Sequence, residues 1–248
     1  SGGAGIQADI ETIGMLGGHA ATIITALTTQ DSKSVSAFHP TSPNTLIQQA
    51  RMVLDDLPIA AIKIGMVGTV EICEAVHTIL AEHPGIPVVL DPLLSAGGGG
   101  DLSAKGLSQA IATLLFPQST IATPNRMELQ QLAQDGDSIE AYGTELISLG
   151  CDNLLITGTD NPLPDESPDH VHHLLMMASG ETTPFRQQRL DHHYHGSGCT
   201  LSSAIAINLA LGKSLIPAVT EGLDFTWKSL SNGFRPGRGQ YFPDRFLH

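Results

Sequence analysis

Five short apolar runs, at residues 20–28, 60–64, 88–91, 120–122 and 153–157, are separated by stretches whose apolar residues recur every three to four positions. Ile6, Ile10, Ile13 and Leu16 have that helical spacing up to Gly17-Gly18, and segments 42–57 and 69–83 repeat it. Strands buried on both faces and linked by amphipathic helices make a parallel sheet covered on each side, with right-handed crossovers. Further helices are predicted over 103–115, from 125 onward, over 139–149 and over 215–231. Residues 171–177 and 182–188 flank Ala178-Ser179-Gly180-Glu181 and read as an antiparallel hairpin at one sheet edge. At 248 residues and 41% hydrophobic content, one α/β domain spanning 1–248 is expected. The chain begins without methionine, in Ser1-Gly2-Gly3-Ala4-Gly5, and a strand preceding it is expected.

The charge balance narrows the ligands. With a net charge of -13, only 12 Lys+Arg and no basic run, the chain is unsuited to nucleic acid. Any phosphate it binds must be held by backbone amides, a divalent metal and a few local cations. No stretch approaches the roughly 20 apolar residues of a membrane span. Cys73, Cys151 and Cys199 are odd in number and widely spaced, which fits a reducing cytoplasm better than a disulfide framework. His192, His193 and His195 precede Cys199, but neighbours in an extended segment point opposite ways, which argues against zinc.

The chemistry concentrates in His195-Gly196-Ser197-Gly198-Cys199-Thr200, followed directly by an apolar helical run. Glycines at such an entry let backbone N–H groups approach a ligand, and the helix N-terminus carries roughly half a positive charge. The stretch reads either as an anion site or as a simple helix cap. In the first turn of that helix, Cys199 is expected to have a lowered thiol pKa and to activate or orient a hydroxyl. Gln30 ends the 20–28 segment, where an amide suits a ring bearing both a nitrogen and an amino group; a turn glutamine facing water is the alternative. Met66 follows a strand end, as core filler or as an adaptable wall against a flat ring. Gly97 to Gly100 predict a mobile loop over the site, and the polar segment 161–169 an exposed one. Asn125 and Glu128 have the spacing either of a hydrated-magnesium and phosphate site or of a capping box.

Taken together, Ser1 to Asp9, Thr25 to Gln30, Lys63-Ile64-Gly65-Met66, Leu90-Asp91-Pro92, Thr123-Pro124-Asn125 with Glu128, and His195 to Ser202 resemble the hydroxymethylpyrimidine/phosphomethylpyrimidine kinases of thiamine biosynthesis. Six collinear segments cover nearly the whole chain. The resemblance implies a ribokinase-like three-layer α/β/α sandwich with a mostly parallel sheet. It implies ATP- and Mg2+-dependent phosphorylation of 4-amino-5-hydroxymethyl-2-methylpyrimidine and then of its monophosphate, by a cytoplasmic enzyme that is commonly a homodimer. By the same resemblance Gln30 binds the aminopyrimidine, with Ala4, Asp9, Met66 and Leu93 around the ring. Gly196, Ser197 and Gly198 form the anion hole and Cys199 is catalytic. Asn125, Glu128, Thr157 and Gly158 fall at the nucleotide phosphates, with Glu128 holding magnesium through water.

Two departures stand out. The family usually has a lysine in the loop where this chain has Ala96 to Gly100, and Lys-Gly-Gly where it has Thr157-Gly158-Thr159. Arg126 and Arg235 are candidate replacements for the missing cations. The absent lysines keep two other readings in play: a pyrimidine-binding protein with weak or no kinase activity, and a pyridoxal-type kinase.

Overall fold

The computed structural model describes residues 1–96, 100–101, 106–133, 136–159, 163 and 166–247. A hairpin of β1 (Ala26–Gln30) and β2 (Val35–Pro40) comes first. It is followed by β3 (Ile62–Ile64), β4 (Val88–Leu90), the short pair β5 (Ser95–Ala96) and β6 (Gly100–Asp101), then β7 (Ile121–Ala122), β8 (Asn153–Ile156), β9 (His170–Met177) and β10 (Thr182–Gln188). The central sheet runs β10-β9-β8-β7-β4-β3. Its β3, β4, β7 and β8 are mutually parallel, and β9 and β10 add an antiparallel edge. The predicted parallel sheet and edge hairpin are both present.

Successive side chains of a strand face opposite sides, and two cores follow from that rule. Val88, Leu90, Ala122, Leu154 and Ile156 pack toward α2 (Pro43–Asp56) and α3 (Val70–Glu82), through Leu46, Ile72, Val76 and Leu80. Val89, Ile121, Leu155 and Leu175 face α7 (Ser197–Ala210) and α8 (Leu215–Ser231), through Leu201, Ile205, Val219 and Leu223. Helices α5 (Arg126–Leu132) and α6 (Ile139–Ser148) lie after β7 and before β8, and α4 (Leu107–Ala110) continues as a π turn to Leu115. Every residue of α7 from Thr200 to Asn208 is buried, so this helix is apolar around most of its circumference rather than amphipathic.

Three expectations are corrected. The apolar run at 20–28 forms strand only from Ala26, and residues 18–24 belong to no strand. A turn at Asp31, whose Oδ1 accepts from the N–H groups of Lys33 at 2.7 Å and Ser34 at 2.9 Å, folds the chain back into β2, which was not predicted. In α1 (Ile6–Met15) the buried positions are Ala8 and Thr12, while Ile10 is 47% exposed. Small residues face α7, on which α1 packs, so the apolar spacing of the isoleucines pointed to the wrong face. Of the predicted loop over the site, Gly97 to Gly99 lie outside the described residues, as do 161–162 and 164–165 of the polar loop.

Candidate active site

The C-terminal ends of β3 and β4 and the start of α7 open into a cleft of about 1980 Å³. Ala4, Asp9, Gln30, Met66, Leu93, Asn125, Glu128, Thr157, Gly196, Ser197, Gly198 and Cys199 all line it. Of the residues expected at the site, Gly158 alone does not.

Gly196 is the N-cap of α7, with φ of 93°, and no side chain caps the helix. The first intrahelical bond runs from Thr200 N–H to the Gly196 carbonyl at 3.0 Å, so the N–H groups of Ser197, Gly198 and Cys199 lack intrahelical acceptors. Three such donors at a helix N-terminus beside an open cleft have the chemistry to cradle an anion. The two glycines serve it differently. A Cβ on Gly196 would stand 1.9 Å from the Gly3 carbonyl oxygen and 2.8 Å from Arg245 Nη2, so glycine is demanded there by the protein's own packing. On Gly198 it would meet only the Asp91 carboxylate, with Oδ2 at 3.7 Å and Oδ1 at 3.9 Å.

Arg245 had no assigned role in the sequence. It is 2% exposed, and its guanidinium donates from Nε to Thr200 Oγ1 at 2.9 Å, from Nη1 to Glu11 Oε2 at 2.9 Å and from Nη2 to the Gly3 carbonyl at 2.6 Å. The C-terminal tail thereby clamps the glycine-rich entry to α1 against the first turn of α7. Phe242 from the same tail lies over Gly3, where a Cβ would come within 2.7 Å of its ring.

Cys199 Sγ accepts a hydrogen bond from Gly5 N–H at 3.4 Å. The expected lowering of its thiol pKa is not what the surroundings produce. Burial pushes Cys199 up to about 11; the Lys63 ammonium and the Gly5 N–H pull it down, but Asp91 and Asp9 add to the rise. Burial outweighs the helix N-terminus, and the sulfur is a neutral thiol near pH 7. Asp91, only 5% exposed, also has its carboxyl pKa raised by burial, with Ser202 Oγ donating to it at 3.4 Å.

At the other end of the cleft, Asn125 caps α5. Its Oδ1 accepts from Glu128 N–H at 2.8 Å and Glu128 Oε2 accepts from Asn125 N–H at 2.9 Å, the reciprocal capping box that the spacing allowed. A parallel bridge sets Asn125 beside Thr157. Gly158 is held against β9, since a Cβ there would lie 1.9 Å from the His172 carbonyl oxygen. Neither candidate replacement cation is directed at this end. Arg126 is buried with Nη1 on Glu166 Oε2 at 2.7 Å and Nη2 on Glu166 Oε1, and Arg235 donates to the carbonyls of Gly239 and Arg238. No cluster of three or more His, Cys, Asp or Glu side chains suited to a metal occurs among the described residues, and His192 stacks on Tyr241 with ring centroids 4.0 Å apart.

A covered parallel sheet with a glycine-entered helix aimed into a cleft at its strand ends defines an α/β kinase of the ribokinase-like class. The pyridoxal kinase of Staphylococcus aureus, solved with AMP-PCP and pyridoxal, superposes with a TM-score of 0.86 at 27% identity, over 99% of this chain and 89% of that one. Within that class the chain belongs to the phosphomethylpyrimidine kinase family, whose profile matches residues 1–244. The hydroxymethylpyrimidine/phosphomethylpyrimidine kinase of Haemophilus influenzae is 35% identical over 96% of this chain and 90% of its own length. The thiamine biosynthesis bifunctional protein ThiED of Geobacter sulfurreducens is 32% identical over 96% of this chain and 48% of its own length. The chain is thus a kinase whose relatives phosphorylate in thiamine biosynthesis and use ATP as co-substrate. No described helix is long and apolar enough to cross a membrane.

Proposed function

We propose that this chain transfers the γ-phosphoryl group of ATP to the 5-hydroxymethyl oxygen of 4-amino-5-hydroxymethyl-2-methylpyrimidine, and a second one to the resulting monophosphate. The observation that carries this reading is that Gln30 and the open N–H groups of Ser197, Gly198 and Cys199 line one cleft. The Gln30 amide offers a donor and an acceptor to the aminopyrimidine edge, and Met66, Leu93, Ala4 and Asp9 enclose the ring. The hydroxymethyl oxygen lies beside Cys199 and attacks the γ-phosphorus as the bond to ADP breaks, and its proton passes late in the step to an oxygen of the transferred phosphoryl group. Such a transfer has a loose transition state, in which positioning and charge stabilisation outweigh base strength. The neutral Cys199 thiol orients the hydroxyl, and the three N–H groups hold the transferring phosphoryl oxygens.

Mg2+ fits the oxygen donors at this cleft. Asp91 is a buried carboxylate whose charge burial disfavours, a condition that a bound cation relieves, and Glu128 lines the same cleft. Asp91 and, through water, Glu128 would hold the ion, which supplies positive charge to the polyphosphate. Asn125 and Thr157 line the nucleotide end, with Gly158 bringing its backbone close behind them. The free cysteines and the absence of a spanning helix among the described residues support work in the cytoplasm, and we extend the reading to a homodimer.

Isotope-labelled ATP offered with the pyrimidine alcohol or with pyridoxal tests the assignment. Label is expected on the pyrimidine, and Cys199→Ala should lower kcat about 100-fold with ring affinity by calorimetry within about twofold. Label on pyridoxal alone would assign a pyridoxal-type kinase. Ring binding without transfer to either acceptor would make the protein a binding module.

A further inference from the structure

β3 delivers Lys63 to the floor of the cleft, where its side chain is only 6% exposed. A buried ammonium must be matched, and Asp9 matches it: Nζ donates to Asp9 Oδ1 at 2.9 Å. Ser203 Oγ donates to the same oxygen at 2.8 Å. These contacts form a register between two helices. Asp9 stands one turn after Gly5 on α1, its N–H bonded to the Gly5 carbonyl at 3.0 Å, and Ser203 stands one turn after Cys199 on α7. Gly5 meets Cys199 in the first layer, Asp9 meets Ser203 in the second, and Lys63 closes the second layer from the sheet. Gly65 makes room for it, because a Cβ at that position would stand 2.9 Å from Nζ.

We propose that Lys63 is a positioning residue for Cys199. By gripping Asp9 it holds the first turns of α1 and α7 in register, so that Gly5 N–H meets the sulfur, and it fixes a positive charge facing that sulfur. This rests on the reading of Cys199 as the residue that meets the substrate hydroxyl. The charged groups around the sulfur come from three elements: Lys63 on β3, Asp9 on α1 and Asp91 after β4, with Gly5 N–H as a further donor. Burial opposes the charge of Lys63, but Asp9, Cys199 and Asp91 raise its pKa above the ordinary lysine value, so the ammonium persists at working pH. Without it, only the Gly5 N–H would oppose the two carboxylates at a thiol that burial already holds neutral.

Iodoacetamide labelling of the intact protein at pH 9, followed by mass spectrometry of the Cys199 peptide, reads the sulfur directly and needs no substrate. Lys63→Met is expected to alkylate about tenfold more slowly than the wild type, the effect of roughly one pKa unit. Its kcat is expected to fall about tenfold, with KM for the alcohol changing less than about twofold, and Lys63→Arg should recover most of both losses. A folded Lys63→Met that alkylates and turns over like the wild type overturns the proposal. Should that variant fail to fold, Gly65→Ala displaces Nζ while keeping the charge. Alkylation slowed about threefold in Gly65→Ala supports the role, and an unchanged rate there overturns it. A wild type that alkylates as expected but moves no phosphate to the pyrimidine would reject the function and leave the Lys63 assignment standing.

Discussion

Around Cys199 the cleft wall is tied by side chains far apart in the chain, whereas at Asn125 the capping pair lies within one helical turn, with Thr157 bridged beside it. Arg245 and Lys63 tie α1, α7, the sheet and the C-terminal tail together through Gly3, Asp9, Glu11 and Thr200. Asn125 and Glu128 cap each other three residues apart, and the nearby Arg126 is engaged by Glu166. The first end presents a rigid cradle that no local motif could build. The second presents polar groups on a short helix, with its buried arginine directed at a carboxylate rather than into the cleft. The sulfur side is therefore structurally over-determined in this chain, and the Asn125 side is lightly held.

Substitutions that break single ties measure that contrast. Gly196→Ala carries the largest expected effect: it forces a side chain into a left-handed backbone position and into the Gly3 carbonyl. Strain and overpacking of this kind should lower stability by about 3 kcal/mol and activity at least about 100-fold, read by thermal melting and steady-state kinetics. A variant that melts and turns over like the wild type would show that the cradle has slack.

Glu166→Gln comes next, because it removes the charged partner of buried Arg126. It should cost about 2 kcal/mol at pH 7 by urea unfolding. Glu166 has a folded carboxyl pKa held below the ordinary 4.5, first by its hydrogen bonds with Arg126. The wild-type advantage is therefore complete above pH 4.5 and disappears as pH falls through the lower folded value. A difference that persists unchanged into acid would assign the loss to packing rather than charge.

Asn125→Ala should cost least, about 1 kcal/mol for a lost cap. If this end is lightly held and meets the nucleotide as proposed, KM for ATP should rise about threefold while Cys199 alkylation stays at the wild-type rate. Altered alkylation would mean that the two ends are coupled through the sheet.

Much of this architecture was legible from periodicity. The strand runs from residue 60 onward, the edge hairpin and the long helices α2, α3 and α8 all follow from the apolar periodicity that burial on a covered sheet demands. The capping box at Asn125 was legible because both partners lie within one helical turn. What periodicity could not give were relations between distant segments. It put Ile10 inward on α1, whereas packing against α7 selects Ala8 and Thr12. The Gly-Ser-Gly entry was located correctly, but the reason for Gly196 is the carbonyl of Gly3 and the guanidinium of Arg245, and neither contact leaves a local signal. The same holds for the Cys199 thiol. A helix N-terminus alone predicts a lowered pKa, and only the three-dimensional burial and the two nearby carboxylates reverse the sign. The hairpin of β1 and β2 was missed because an aspartate turn, rather than apolar alternation, makes it.

The clamp made by Arg245 also bears on the order in which the molecule matures. Its partners lie 45, 234 and 242 residues earlier in the chain, so during synthesis the contact between the α1 entry and α7 cannot close until Arg245 has left the ribosome. A nascent or clipped polypeptide lacking residue 245 leaves the Glu11 carboxylate and the Gly3 carbonyl without their counter-group. The entry to α1 and the first turn of α7 are in this way joined only after every element between them has been made.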